Sequence, residues 1–161
     1  MGSMRNGQGD GFFALFNCHG VFIKGFDHES MVASLELPSE QFYRDLPHQF
    51  SACCIEPAFS PELVTFCMWR LSQESGWARA KIALPPSEDN DGSAHLLAML
   101  DCSPETYLRW ATEYYESEVP ARAVVAVYEH RVLTEEIVAA LNPMCSLTSL
   151  REDIAEIGYP T

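Results

Sequence analysis

Phe12-Phe13-Ala14-Leu15-Phe16, then Asn17-Cys18-His19-Gly20, then Val21-Phe22-Ile23-Lys24-Gly25-Phe26: two apolar, aromatic and β-branched runs stand on either side of a short stretch holding Asn and Gly. Runs of this composition joined by a turn read as a β-hairpin. Both are nearly continuous in apolar residues, so the pair is expected at the centre of its sheet and covered. Asp27-His28-Glu29-Ser30 breaks the pattern. The next strand is expected over residues 63–71, with an antiparallel return over 77–84 after the turn Gln73-Glu74-Ser75-Gly76. Between hairpin and strand, 31–37 is ambiguous. A short helix is expected from near Ser39, ended by Pro47, with a further helical turn or two over 48–55.

The second half reads as helix. Ser103-Pro104-Glu105 starts the clearest one: a hydroxyl for a free N–H, Pro at the first position, an acid at the positive end of the dipole. Tyr107, Leu108, Ala111, Tyr114 and Tyr115 then recur on one face, with Trp110 widening it, and that face is expected to anchor the core. Glu105, Arg109, Thr112, Glu113 and Glu116 take the other. Further helices are expected over 93–101, after Ser117 with Pro120 in the first turn, after Thr134, and from Ser146 or Ser149 toward Gly158. Strands first and helices later predict an α+β fold: a small, mostly antiparallel sheet in the N-terminal half and about five helices in the C-terminal half.

A chain of 161 residues holds one domain with a real core. Residues 1–10 are expected to be a flexible arm, in which Met1-Gly2-Ser3-Met4 reads as a cloning leader. Residues 11–85 form the strand-rich part and 86–161 the acidic helical part. The loop Pro85-Pro86-Ser87-Glu88-Asp89-Asn90-Asp91-Gly92 divides them without being a domain linker, since neither half shows an obviously sufficient core.

The net charge is −13, and it is uneven: residues 86–161 carry fourteen acids against four arginines, a net of −10. That disfavours a nucleic-acid backbone as partner, which needs a basic surface, and none is expected. It fits solvated helix faces or a docking surface for a basic protein. No apolar run approaches a membrane span. Six cysteines without a CxxC pair point to a reducing cytoplasm.

No assembled catalytic set is visible. GxSxG, GxxxxGK[ST] and GxGxxG are absent. Cys18-His19 are adjacent on a turn, where side chains point apart. Asp27-His28-Glu29 offers three ligand-type side chains, but none of HExxH, CxxC or HxH occurs, so neither a metal nor another cofactor is expected. Asp27 or Ser30 is expected to cap the next element and His28 to be exposed. Asp89, Asp91 and Gly92 match part of a calcium loop, yet Ser87 and Ala98 stand where its first and twelfth ligands belong.

Three passages carry a resemblance: Gly11-Phe12-Phe13-Ala14-Leu15-Phe16 through His19 to Ser30; Glu56-Pro57-Ala58-Phe59 with Thr65-Phe66-Cys67-Met68-Trp69-Arg70; and Ala155-Glu156-Ile157-Gly158-Tyr159-Pro160. Together they resemble a family of small bacterial proteins with no assigned activity, so no functional residue is carried over. In size and acidity the chain is also similar to cytoplasmic immunity proteins of bacterial toxin systems. That resemblance implies a protein-binding inhibitor rather than an enzyme, whose partner is a basic toxin or effector. Asp101, Glu105, Glu113, Glu116 and Glu118 would steer the partner, with Trp110 or tyrosines such as Tyr114 as anchors. The alternative is a small enzyme or ligand-binding domain with a pocket near the hairpin, drawing on His19, Asp27, His28, Glu29 and Arg70. A homodimer through an exposed aromatic patch is a third reading.

Overall fold

A computed structural model describes residues 1–84, 86 and 88–160. Pro85 and Ser87, both assigned above to the dividing loop, lie outside the described residues, as does Thr161. The calcium-loop position given to Ser87 therefore falls outside them too.

The fold is α+β. A four-stranded antiparallel sheet runs β1 (Gly2–Arg5), β2 (Gly11–Asn17), β3 (Gly20–Phe26) and β4 (Phe66–Leu71), neighbours in that order. The hairpin is β2–β3. The Asn17 side chain closes its turn by accepting from the N–H groups of His19 and Gly20 at 2.8 and 3.2 Å. Gly20 sits at φ +143° so close to β4 that a Cβ would lie 2.1 Å from the Arg70 carbonyl oxygen, which leaves room only for glycine.

Both faces of the sheet are covered, which is why its strands read as unbroken apolar runs. On one face Phe22 packs with Phe42, Phe50, Phe59 and Trp69. On the other, Ile23 packs with Phe12, Ala14, Phe66 and Leu96. Helix α1 (Met31–Ser34) resolves the ambiguous segment, with Ser30 as its cap accepting from Ala33 N–H at 3.2 Å. Short 3-10 turns at Ser39–Gln41, His48–Cys54 and Pro57–Phe59 complete this part.

Several expectations are corrected. Gly2–Arg5 is an edge strand rather than a loose arm, because Met4 packs on the Phe12–Ile23 cluster. The Asn6 side chain folds the following turn by accepting from Gln8 and Asp10 N–H. Strand β4 starts at Phe66, not at 63, since the Leu63 carbonyl is taken by the buried Lys24 ammonium at 2.5 Å. The return over 77–84 is one bridge, Trp69 with Ala78; beyond it Ala80, Ile82 and Leu84 turn into the core instead of pairing.

Downstream lie α2 (Ser93–Leu96), α3 (Pro104–Tyr115), α4 (Ala121–Tyr128), α5 (Glu135–Leu141) and α6 (Arg151–Glu156). The helix expected over 93–101 stops at Leu96 and continues only as a 3-10 turn, Ala98–Leu100. Leu96 is buried while Leu100 is exposed, so helical geometry persists only where a face is covered. Thr134 caps α5 as expected, accepting from Ile137 N–H at 3.3 Å. The cap of α4 is Pro120, not Ser117, and α6 begins only at Arg151.

The chain forms two compact units, Met1–Leu97 and Ala98–Thr161. The dividing acidic loop and α2 thus belong with the sheet. All six cysteines are free, Cys53 and Cys67 buried. Among the described residues no helix is long and apolar enough to cross a membrane.

Candidate functional site

Two places hold unusual chemistry, one in each unit. In the second unit it is α3. Its start is over-determined: Ser103 Oγ accepts from Thr106 N–H at 3.3 Å, and the Asp101 carboxylate accepts from Ser103 N–H at 2.8 Å and from the Thr106 hydroxyl at 2.6 Å. The Thr106 hydroxyl and the Ser103 N–H hold the Asp101 carboxyl below the usual range. Glu105 accepts from the Ser103 hydroxyl at 3.0 Å. Asp101 and Glu105 are exposed, but their carboxylates serve the helix start.

The other end is the reverse. The last turn carries no basic residue, Glu113 and Glu116 stand at the negative end of the dipole, and Glu116 takes a left-handed conformation at φ 49°. Both features are unfavourable. Glu118 is exposed just beyond. Of the expected core face, only Ala111 is buried; Tyr107 and Leu108 are half-buried. Trp110, Tyr114 and Tyr115 are exposed at 41, 63 and 58%. That corrects the inward-facing assignment. The unit packs α3 on α4, with Ala111, Ala123, Val124 and Ala126 buried and the Tyr107 ring 6.3 Å from that of Tyr128. The rings pack on each other instead: Trp110 stacks on Tyr114 at 5.0 Å, and Tyr115 meets Tyr114 edge-on at 5.0 Å.

In the first unit, the five pocket residues proposed from sequence do not converge. His19 lies in the β2–β3 turn and Arg70 beside it on β4, opposite Val21 and over the Trp77 ring at 5.5 Å. Asp27, His28 and Glu29 follow the far end of β3, roughly 20 Å of strand away. What gathers at that far end includes a residue the sequence reading passed over. Register pairs Gly11 with Phe26, which brings Asp10 next to Asp27 and His28. The His28 ring Nδ1 lies 2.5 Å from Asp10 Oδ1, and its backbone N–H donates to the same oxygen at 2.8 Å. Burial pushes the Asp10 carboxyl upward, but hydrogen bonds from His28 and Asn6 outweigh it and leave it below its usual range. The same bond to Asp10 raises His28. Glu29 is exposed.

Beside this cluster is a cavity of about 360 Å³ lined by Arg5, Asp10, Phe13, Lys24, Phe26 and Leu63 among others. Lys24 is 2% exposed, its amine donating to the carbonyls of Ser60 and Leu63 at 2.8 and 2.5 Å. Burial pushes it down to about 8, against a smaller upward pull from Glu62. The one available signal for Lys24 was its place as the sole charge inside an apolar strand; nothing in residues 1–10 marked Asp10. Compared with family models, with curated proteins and with solved structures, the chain matches none.

Proposed function

We propose that the chain is a protein-binding inhibitor of the immunity type, cytoplasmic, which takes a basic toxin or effector protein on the outer face of α3. The carrying observation is the exposed ring cluster Trp110–Tyr114–Tyr115 beside a helix end that bears Glu113 and Glu116 and no cation. Rings of this size supply the buried anchors of protein interfaces, and surrounding acids steer and select a cationic surface. A Lys or Arg from the partner would meet the carbonyl end of the helix and its acids together, relieving what the chain leaves unfavourable by itself.

The test is binding to a basic partner, recovered by affinity capture at low salt and then titrated as a purified protein. Trp110→Ala and Tyr114→Ala are each expected to weaken binding by about 2 kcal/mol or more, roughly thirtyfold. Raising salt from about 0.05 to about 0.5 M is expected to slow association. On co-expression the partner's activity should be suppressed by the wild type and not by either variant. Wild-type affinity in both variants, or binding indifferent to salt, sinks the reading. A change in mass by sedimentation between wild type and Tyr114→Ala would instead assign the patch to a homodimer.

The ligand-binding alternative has one observation in its favour, the cavity at the open end of the hairpin with two cations and two rings in its lining. Ligand-detected NMR with a small aromatic carboxylate, compared between wild type and Arg5→Gln, decides it; no signal difference removes it.

A further inference from the structure

The cluster Asp10, Asp27 and His28 sits in the first unit, away in sequence from α3. One ligand atom from each residue lies within 4.8 Å of the others. Asp10 and Asp27 are 8 and 9% exposed, and the His28 ring is open to solvent on one side. Two buried carboxylates face a single imidazole, so even a protonated His28 leaves one negative charge uncompensated, and uncompensated buried charge is costly.

The positions are held from behind. Asn6 Nδ2 donates to Asp10 Oδ2 at 2.6 Å. Glu29 N–H donates to Asp27 Oδ1 at 2.9 Å, while Asp27 N–H bonds the buried Thr65 hydroxyl at 3.1 Å. That hydroxyl donates on to the Asp91 carbonyl at 2.7 Å. The other oxygen is Asp27 Oδ2. It rests against Gly92, at φ +78°, where a Cβ would come within 2.3 Å. The Asp27 carboxyl is thus nine-tenths buried and held beside Asp10 and His28.

We propose that Asp10, Asp27 and His28 bind a divalent transition-metal ion. Two carboxylate oxygens and one imidazole nitrogen suit zinc and its first-row neighbours better than magnesium, which keeps to oxygen and to its own water. Three protein ligands leave positions open to solvent. The proton held between His28 Nδ1 and Asp10 Oδ1 goes to solvent as the ion takes its place. Asn6 and the Glu29 N–H then orient the two carboxylates from outside. The ligands come from two chain segments joined by strand register, which is why no short motif shows the site.

The test uses the full chain, stripped by chelator and titrated with Co²⁺ under reducing conditions. One equivalent is expected to bind with the visible bands of nitrogen and oxygen ligands and without a thiolate charge-transfer band, and Zn²⁺ should displace it. His28→Gln removes a half-exposed ring and keeps the backbone N–H bond to Asp10; it is expected to weaken Co²⁺ binding by at least about tenfold, and Asp27→Asn by as much. The stripped wild type should melt at a higher temperature on adding Zn²⁺, and His28→Gln should not. Unchanged affinity in His28→Gln, a stoichiometry below one, or a thiolate band from the cysteines overturns the proposal. Displacement of Co²⁺ by Mg²⁺ at equal concentration overturns the choice of metal class.

Discussion

In the unit Met1–Leu97 most large rings are inside, Phe16 and Trp77 excepted, and in Ala98–Thr161 a cluster of three large rings is outside. The first buries Phe22, Phe50 and Phe66 almost completely, with Phe42, Phe59 and Trp69 close behind. The second buries Ala111, Ala123, Val124, Ala126, Val138 and Ile154 while exposing Trp110, Tyr114 and Tyr115. A strand between two neighbours has two faces to cover, and large rings fill that space. In the helical unit the buried residues of α3 and α4 are small or β-branched, and the one ring pair between them, Tyr107 with Tyr128, is only half-buried. The helical unit therefore leans on its caps at Ser103 and Thr134 and leaves its apolar surplus outside. A surplus gathered in one stacked cluster, rather than scattered singly, is what gives the α3 face a functional reading.

The comparison breaks most directly in the core. Phe22→Ala is expected to cost about 3–5 kcal/mol, the range for deleting a buried ring. Tyr114→Ala, which removes an exposed one, is expected to cost about 1 kcal/mol or less. Urea unfolding followed by circular dichroism measures both. Costs of similar size would mean that the α3 rings are core, and the contrast would collapse.

Lys24 sharpens the account of the sheet unit at intermediate scale. A lysine lowered to about 8 in the folded chain destabilises it at every pH below that value. As pH rises from about 8 the folded state sheds the proton while the unfolded state keeps it, so the stability from this group increases toward the unfolded pKa. Raised thiols oppose it above their unfolded value: burial lifts Cys53 to about 11 and Cys67 higher, and that contribution is lost as pH climbs. The clean window is about pH 8–9, where wild type is expected to gain up to about 1 kcal/mol relative to Lys24→Met. Parallel stability curves for the two proteins would show that the ammonium stays charged on its two carbonyls.

The smallest effect bears on the helical unit. Glu113→Lys places a cation at the negative end of α3 and is expected to stabilise it by about 0.3–1 kcal/mol. The same change is expected to weaken capture of a basic partner. Gain of stability with loss of binding would assign the acid to the partner; loss of both would assign it to the fold.

Local chemistry was legible where it sufficed. The hairpin was readable because composition and turn residues agree over 12–26, and α3 because its cap, first proline and periodicity agree. Ser30 and Thr134 as caps were readable for the same reason, since capping involves atoms three residues apart. The strand expected over 77–84 was not formed, since pairing competes with burial of Ala80, Ile82 and Leu84, a choice made by distant residues. Spacing puts the acids of α3 outside and groups Trp110, Tyr114 and Tyr115 on the face expected to pack inward, yet all three rings are exposed. Helical spacing shows which side chains share a face and not what covers that face.

By itself the sequence determined the class of fold, the order of strands before helices, the caps and the acidic second half, because these follow from neighbours in the chain. Only the tertiary structure decided that residues 2–5 join the sheet, that His19 and Arg70 part from Asp27 and His28, and that Asp10 meets them. Strand register sets those distances, and register is settled by which side chains can be buried together across the sheet.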